Sequence, residues 1–440
     1  MANSLVDVFR IKDLRKRIGY TTLMLVIFRL GATLPIPGIN VNALRLYFLA
    51  QDASSSTMGL TEYIDFFAGG AFKNFSVFML GIMPYMSMHI IMQLLTIVFP
   101  SLKKLAEEDG GRKKIQKITR YGTIVLALLQ SYVVTVYAKS IPDAVTINML
   151  PYTIIAMITV TTGTMFLVWI GEQITAKGIG NGISLLIFAG IVARIPTAII
   201  TLVKSVQSGV LNPVVVIIVF AMFLIVVALV IYEQQGQRKI PVHYAKRVVG
   251  RKMYGSQSTY IPFKINPSGV IPVILASTLL SFPLQIASSL GPEINWLAKF
   301  ANWLRPQGAP YLVVYTLLII VFAFFYTQVS LNPTEISRQI RENGGSIPGI
   351  RSDKIEDYLR RVLNRIVFPG SLFLAFIALI PTLVQKFFNF PTSVAMILGG
   401  TSLLIMVGVD LDTMSQIEGH LKMHHHDGLV KKGKIKSRNL

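Results

Sequence analysis

Three consecutive histidines, His424, His425 and His426, are the residues whose type and spacing most directly suggest chemistry, which would be metal binding. They lie in a hydrophilic tail, and adjacent positions impose no fixed ligand geometry, so we expect adventitious affinity and no metal site. His89 lies in an apolar segment, and we interpret it as a packing residue whose hydrogen bonds are satisfied.

Patterns that would support catalysis or nucleotide binding are missing from the sequence. It contains no H-E-x-x-H pattern, no credible nucleophile–base pair and no G-x-x-x-x-G-K-[ST] loop to hold nucleotide phosphates. Cysteine is absent, which excludes disulfides, Fe–S clusters and thiolate zinc sites. We therefore expect no enzymatic activity, no metal and no cofactor.

Carboxylates are absent from the middle of the long apolar segments. Glu172, Asp410 and Asp412 lie at the ends of such segments. Carriers coupled to protons or sodium usually keep carboxylates inside the membrane to bind the ion, so the pattern disfavours such a carrier. Arg29 is the one basic residue that we place well inside an apolar segment. We interpret it as a helix-packing partner or as a side chain that snorkels to the membrane surface.

The composition of the whole chain indicates a membrane protein. Of its 440 residues, 52% are hydrophobic and only 14% are charged, whereas a soluble domain carries about 25% charged residues. The net charge of +21 is distributed between apolar segments, so it bears on membrane orientation more than on nucleic-acid binding. The N-terminus is basic and amphipathic without an apolar stretch and cleavage site, so we predict no cleavable signal peptide.

Ten apolar segments are long enough to cross a membrane as helices, which need about 20 residues for roughly 30 Å of hydrocarbon. We place these spans near residues 18–36, 75–97, 118–138, 151–173, 182–203, 213–232, 268–288, 311–331, 366–385 and 392–411. Of the 42 Lys and Arg residues, 33 fall in the N-terminus, alternate loops and the C-terminal tail. The positive-inside rule then places both termini in the cytoplasm, which requires an even number of spans.

Eight sequence segments together resemble the SecY family, the central channel subunits of bacterial Sec protein translocases. They are LPIPGI from Leu34, LGIMPYMSMHIIMQLL from Leu80, GRKKIQKITRYGT from Gly111, GIGNGISLLIFAGIVA from Gly178, YAKRVVGRKMYGSQSTYIPFKIN from Tyr244, GVIP from Gly269, IPGIR from Ile347 and GGTSLLI from Gly399. Each is weak alone, but their order on ten spans is specific and covers nearly the whole chain. The departures are Pro267-Ser268 before the seventh span and the histidine-containing tail.

The resemblance implies an all-α membrane protein with ten transmembrane helices in two inverted pseudo-symmetric halves of five, an hourglass pore and a plug helix. The parts are a cytoplasmic amphipathic N-terminus (1–17), an N-terminal half (18–203, plug near 60–73), an external hinge (204–212), a C-terminal half (213–411) and a cytoplasmic tail (412–440). We expect the chain in the bacterial plasma (inner) membrane as a multi-pass protein. No strong internal repeat supports the relation between the halves from sequence alone.

By the resemblance, six aliphatic side chains from four spans would form a pore ring. They are Ile82, Met86, Ile187, Ile191, Ile274 and Ile405. The first two and the next two are i,i+4 pairs, so each pair stacks on one helix face. Apolar side chains bind no ions and let a narrow pore dewet, which would block ion leakage. The alternative is that these are ordinary core or lipid-facing residues.

The resemblance also assigns a plug and a lateral gate. The plug segment, residues 64–72, consists of Ile64, Asp65, Phe66, Phe67, Ala68, Gly69, Gly70, Ala71 and Phe72, and it is too short to span a membrane. The polar residues of the lateral gate, between the second and third spans and the seventh and eighth, are Gln93, Gln130, Ser277 and Thr278. The alternatives are an interfacial segment without a gating role and static interhelical hydrogen bonds.

Two long basic loops, residues 233–265 and 332–365, form the predicted cytoplasmic docking face, and the first has the alternating pattern of a β-hairpin. The alternative is that their charge only sets topology. By the resemblance, Arg251 and Lys252 would contact the ribosome and Arg351 the SecA ATPase, and Arg247 belongs to the same set of SecA/ribosome docking residues. The other implied partners are SecE, SecG, signal peptides, nascent chains and the lipid bilayer.

The predicted function is that of a protein-conducting channel. It would pass unfolded secretory proteins across the membrane and release signal sequences and transmembrane helices sideways into lipid. A small-solute secondary transporter is the alternative, and it is disfavoured by the missing carboxylates and by basic loops that a carrier does not need.

Overall fold

The computed structural model describes residues 11–53, 65, 68–108, 110–139, 141–244, 247–249, 252–254, 258–290, 296, 299–300, 303–304, 308–388, 390–397 and 399–431. Contacts between Cα atoms divide the chain into two compact units. The first unit comprises Met1–Ile200, Ser288–Glu293 and Ile405–Leu440, and the second comprises Thr201–Ala287 and Ile294–Leu404.

The first unit is built from helices that follow one another in sequence. They are α1 (Lys12–Gly31), α2 (Val41–Ala53), α3 (Met83–Val98), α4 (Pro100–Glu107), α5 (Gly111–Lys139), α6 (Met149–Lys177), α7 (Gly182–Val192) and the start of α8 (Ile195–Gln207), whose remainder belongs to the second unit. The N-terminus of helix α7 is capped by Asn181, whose side chain accepts hydrogen bonds from the backbone N–H groups of Ile183 and Ser184. Gly180, with a φ of +86°, supplies the left-handed turn that leads into this cap.

The second unit combines helices with a small sheet. Its elements are α9 (Pro213–Gln235), β1 (Gln237–Tyr244), β2 (Arg247–Val249), β3 (Lys252–Tyr254), β4 (Ser258–Lys264), α10 (Ile271–Leu290), α11 (Ala309–Ser330), α12 (Pro333–Glu342), β5 (Gly345–Ser346), α13 (Ile355–Phe388), α14 (Thr392–Ile397) and the start of α15 (Gly400–Lys431). Helices α9 and α12 share one type of start, in which an asparagine caps the helix and proline occupies the first turn.

Seven helices among the described residues are long and apolar enough to cross a membrane, and an eighth is added if the bent pair α3–α4 counts as one span. Each of the ten predicted ranges overlaps at least one helix. Two of the ten predicted ranges, the first and the seventh, have no counterpart among these eight helices, and composition and length explain why. Helix α1 begins with a cluster of charged residues. In the seventh range, only the first part of α10, Ile271–Leu280, counts as an apolar helix, and it is too short to span a membrane.

The helices differ from the predicted spans at three places. The second span was predicted from residue 75, whereas residues 77–82 form turns and α3 begins at Met83, with Pro84 in its first turn. The fifth span is divided into α7 and α8. The tenth is preceded by the short α14, and Gly399 and Gly400 lie so close to neighbouring backbone that a Cβ atom on either would clash.

One end of the first unit brings α1 and α15 together around a short loop. Leu14 and Ile179 form a buried cluster, against which side chains from α1 and α15 pack. The backbone N–H of Gly180 donates to Oε1 of Gln416 at 2.9 Å. The Thr21 hydroxyl accepts from the N–H of Ile179 at 3.1 Å. The short 178–181 loop is therefore held between the first and last described helices.

Candidate functional site

The plug segment packs against helices of the first unit. Ala68, Ala71 and Phe72 are buried, and the Phe72 ring lies 6.0 Å from that of Tyr137 on α5. Beyond the segment, residues 75–77 hydrogen-bond to residues 34–36, so this stretch is tied to the chain that follows α1. Three plug residues of the prediction, Ile64, Phe66 and Phe67, lie outside the described residues.

Gly69 brings the backbone of the plug segment directly onto α7. Its φ is +66°, and a Cβ atom at this position would lie 2.7 Å from the Cα atom of Gly190. Gly190 lies one residue before Ile191 and three after Ile187, both predicted ring residues. Two glycines therefore allow an approach that side chains would prevent. The plug segment touches the same helix that carries one pair of the predicted ring.

Two arginines bind the plug segment. Arg194, at the junction of α7 and α8, has its Nη2 3.2 Å from Oδ2 of Asp65. Arg29 on α1 donates from Nη1 to the carbonyl oxygen of Gly69 at 2.9 Å. The sequence analysis interpreted Arg29 only as a packing or snorkelling residue and overlooked Arg194. The available signal was a second arginine within a predicted span, together with a carboxylate in the plug segment.

The ring residues of the prediction differ in burial. Ile82, Ile187, Ile191 and Ile405 are buried, whereas Met86 and Ile274 are half-buried. The N–H of Met86 donates to the carbonyl of Ile82 at 3.0 Å, so this pair is one helical turn apart, as its spacing indicated. Ile187 and Ile191 are also one turn apart, on α7. That all six tips meet around one passage stays a prediction.

Two of the polar residues assigned to the lateral gate form hydrogen bonds within their own helices. Gln93 Nε2 lies 3.2 Å from His89 Nε2 on α3, and the Ser277 hydroxyl donates to the carbonyl oxygen of Ile274 on α10 at 2.8 Å. Gln130, Ser277 and Thr278 are buried. The bonded state of His89 agrees with its interpretation as a satisfied packing residue. The gate itself stays a prediction.

Strands from the two loops of the docking face form a three-stranded sheet of order β4–β1–β5 in the second unit, and β2 and β3 form a separate two-stranded sheet. Strands β1 and β4 pair antiparallel from Gln237↔Lys264 to His243↔Ser258, and β2 pairs with β3, as expected for a hairpin. In addition, β5 of the second loop pairs with β1, with His243 opposite Ser346. The sequence analysis did not foresee this pairing, because a two-residue strand leaves no alternation of side chains to recognise.

A hydrophobic cluster beneath this sheet fixes the docking face to α12 and α13. Its buried members are Ile240, Val242, Phe263, Ile340, Ile347, Ile355, Leu359, Val362 and Leu363. They come from both loops and from the first turns of α13. The three-stranded sheet is therefore part of a small folded structure with its own core.

The residues assigned to docking belong to two segments of the second unit. Arg351 is exposed, immediately before the 3₁₀ turn Ser352–Lys354. Arg247 and Lys252 belong to β2 and β3, and Arg251 lies outside the described residues. The sheet adds Lys239, whose Nζ lies 4.8 Å from the centre of the exposed Tyr260 ring, a cation–π arrangement. This pair presents a positive charge and an aromatic face together.

We expect Leu359→Ala to loosen the docking face, because Leu359 is fully buried in its core. Such a truncation costs about 2 to 5 kcal/mol. Limited proteolysis of the purified membrane protein should show faster cleavage within residues 237–264. Leu372→Ala on the same helix is the control, since Leu372 is exposed. Equal cleavage rates in the two variants would contradict the shared core.

Comparison with known families and relatives gives a consistent result. A family model described as SecY matches residues 76–414. The protein translocase subunit SecY of Borreliella burgdorferi is 49% identical over 424 residues, which cover 96% of each chain. That of Thermotoga maritima is 44% identical over 437 residues and 98% of each chain.

Solved structures with a similar fold are channels. One, described as the structure of a protein conducting channel, has a TM-score of 0.63 at 20% identity and covers 92% of this chain and 91% of that one. Canine Sec61, solved in a ribosome–channel complex from the endoplasmic reticulum, has a TM-score of 0.60 at 19% identity with the same coverage. At these identities the likeness concerns the fold.

Proposed function

The chain belongs to the SecY family and is a multi-pass channel subunit of a protein translocase, and we propose how its residues perform that task. It passes unfolded secretory proteins across the bacterial inner membrane and releases signal sequences and transmembrane helices sideways into lipid. Both termini lie in the cytoplasm, on the side that carries most of the Lys and Arg residues. The likeness to translocase subunits over nearly the whole chain carries this proposal.

The closed channel is sealed by aliphatic side chains and by the plug segment. Ring side chains offer no ligand to an ion, so a narrow passage lined by them dewets and resists conduction. They also yield to a passing chain of any sequence, because they form no directional bonds. The contact of Gly69 with Gly190 supports a plug segment that rests beside the ring residues of α7.

Release into lipid occurs past the faces that carry Gln93, Gln130, Ser277 and Thr278. Polar contacts between membrane helices contribute roughly 0.6 to 2 kcal/mol each. An arriving signal helix supplies a comparable amount, since each Leu or Phe favours insertion by about 0.3 to 0.6 kcal/mol. The gate is therefore weak enough for an apolar signal to open.

The docking face receives the partners that supply energy and substrate. The ribosome contacts Arg247, Arg251 and Lys252, because clustered basic side chains bind RNA phosphates. The presence of canine Sec61 in a ribosome–channel complex supports this assignment. SecA engages the exposed Arg351. SecE and SecG complete the membrane complex.

We expect Ile405→Asn to weaken the seal, because it places an amide at a buried position of the ring. The test uses vesicles containing the complete translocase, SecA and ATP. Protease protection of a preprotein with a functional signal should match the unsubstituted channel. A preprotein with a defective signal should be protected at least several-fold more in the variant.

Ile405→Leu is the matched control, since it keeps an apolar side chain of equal volume. It should translocate only preproteins with functional signals. A variant Ile405→Asn that still rejects defective signals would remove Ile405 from the ring. Vesicles that protect no preprotein but accumulate a small solute would instead favour the transporter alternative.

A further inference from the structure

Asp65 in the plug segment forms a buried ion pair with Arg194. The Asp65 side chain is 1% exposed and that of Arg194 12%, with 3.2 Å between Oδ2 and Nη2. Buried pairs are screened little by salt. Removal of one partner is costly because the other charge stays behind, desolvated and unpaired. Neither residue belongs to the ring, the gate or the docking face.

The pair connects the plug segment to the end of a ring helix. On the plug side, Oδ1 of Asp65 accepts the backbone N–H of Lys73 at 2.9 Å, and its carbonyl accepts the N–H of Gly70 at 3.0 Å. On the other side, the N–H of Arg194 donates to the carbonyl of Ile191 at 3.1 Å. The ion pair thus joins a folded turn of the plug segment to Arg194, which lies about one helical turn after Ile191, the second residue of the predicted ring pair on α7.

Arg29 provides a second connection from a different helix. Its Nη1 donates to the carbonyl oxygen of Gly69 at 2.9 Å. A bond from a charged donor is stronger than one between neutral groups. The plug segment is therefore held by α1 at Gly69 and by the α7–α8 junction at Asp65.

We propose that Asp65, Arg194 and Arg29 form an ionic latch that holds the plug segment closed and sets how readily the resting channel opens. The latch rests on the proposed function of the plug. When the segment leaves, the pair separates, so the net attraction between its two charges favours the closed state. When one partner is neutralised, the closed state alone retains an unpaired buried charge, and the equilibrium shifts toward opening.

Asp65→Asn and Arg194→Gln are the test variants, measured as single-channel currents of the complete translocase in planar bilayers without substrate. We expect each to raise the ratio of open to closed channels on the order of 100-fold, the effect of stranding one buried charge. The double variant should open less than the two single effects combined, because it leaves no stranded charge. Arg29→Gln should open the channel less, since its acceptor is a neutral carbonyl.

Lys204→Gln is the matched control, because Lys204 is an exposed cation on α8 with the same charge. It should leave the resting current unchanged. Size-exclusion profiles and thermal unfolding of each variant separate a gating effect from poor folding. A latch variant that keeps the folded profile should also translocate preproteins with defective signals.

Deletion of residues 64–72 distinguishes failure of the latch from failure of the plug. If the deletion opens the channel while folded Asp65→Asn and Arg194→Gln channels stay closed, the latch is wrong and the plug stands. If the deletion leaves the resting current at the original level, both are wrong. Full additivity of the two single variants would also overturn the latch, because the residues would then act independently.

Discussion

Deletion of residues 64–72 is expected to turn a resting channel that conducts almost no ions into one that conducts continuously. The deletion removes the buried Phe72 along with Ala68 and Ala71. Burial of one phenylalanine side chain contributes about 1.5 to 3 kcal/mol, and each 1.4 kcal/mol changes an equilibrium about tenfold. The open fraction should therefore rise at least about tenfold, measured as single-channel conductance of the complete translocase without substrate.

A matched control for this deletion must shorten the chain without touching the plug segment. Deletion of residues 206–209 serves, because this segment lies at the end of α8, outside the plug segment, and is mostly exposed. It should leave the resting conductance low. Equal conductance in both deletions, whether low or high, would contradict a specific sealing role for residues 64–72.

Arg351→Glu is expected to abolish most SecA-driven export while sparing much of ribosome-driven membrane insertion. Arg351 is exposed beside a docking sheet whose core fixes its position. Reversal of a charge within a charge-paired interface typically costs 2 to 5 kcal/mol, which corresponds to at least about a 30-fold loss. The measurement is the initial rate of ATP-dependent preprotein uptake into inverted vesicles, compared with insertion of a nascent membrane protein.

Lys354→Glu separates a specific contact from a general change of charge. Lys354 is exposed three residues away and ends the same 3₁₀ turn, so the substitution changes the net charge equally. Its export rate should fall far less than that of Arg351→Glu. Normal SecA-dependent export by Arg351→Glu would refute the assigned contact.

Much of the fold could be predicted because membranes permit few solutions. Backbone groups in hydrocarbon must be satisfied within a helix, so apolar runs of about 20 residues become helices. Helices α5, α6 and α9 therefore overlap their predicted ranges closely. The hairpin in the first basic loop was also readable, because alternating side chains reveal paired strands.

The errors arose where tertiary contacts decide the local structure. Residues 77–82 are apolar enough to continue a helix, yet the positive φ of Gly81 and hydrogen bonds to residues 34–36 make them turns. The pairing of Arg194 with Asp65, which is distant in sequence, was likewise not predicted. Composition alone reveals neither contact, because a single pair leaves no periodic signal.

Helix α13 extends the docking core toward the membrane. It begins with Ile355, Leu359 and Val362 in the cluster beneath the sheet and continues without a break to Phe388. With 34 residues, this helix is about 50 Å long. Pro369 and Pro381 lie inside it and each removes one backbone hydrogen bond. A force applied to the sheet would therefore be transmitted along α13, and the helix would bend most easily at its two prolines.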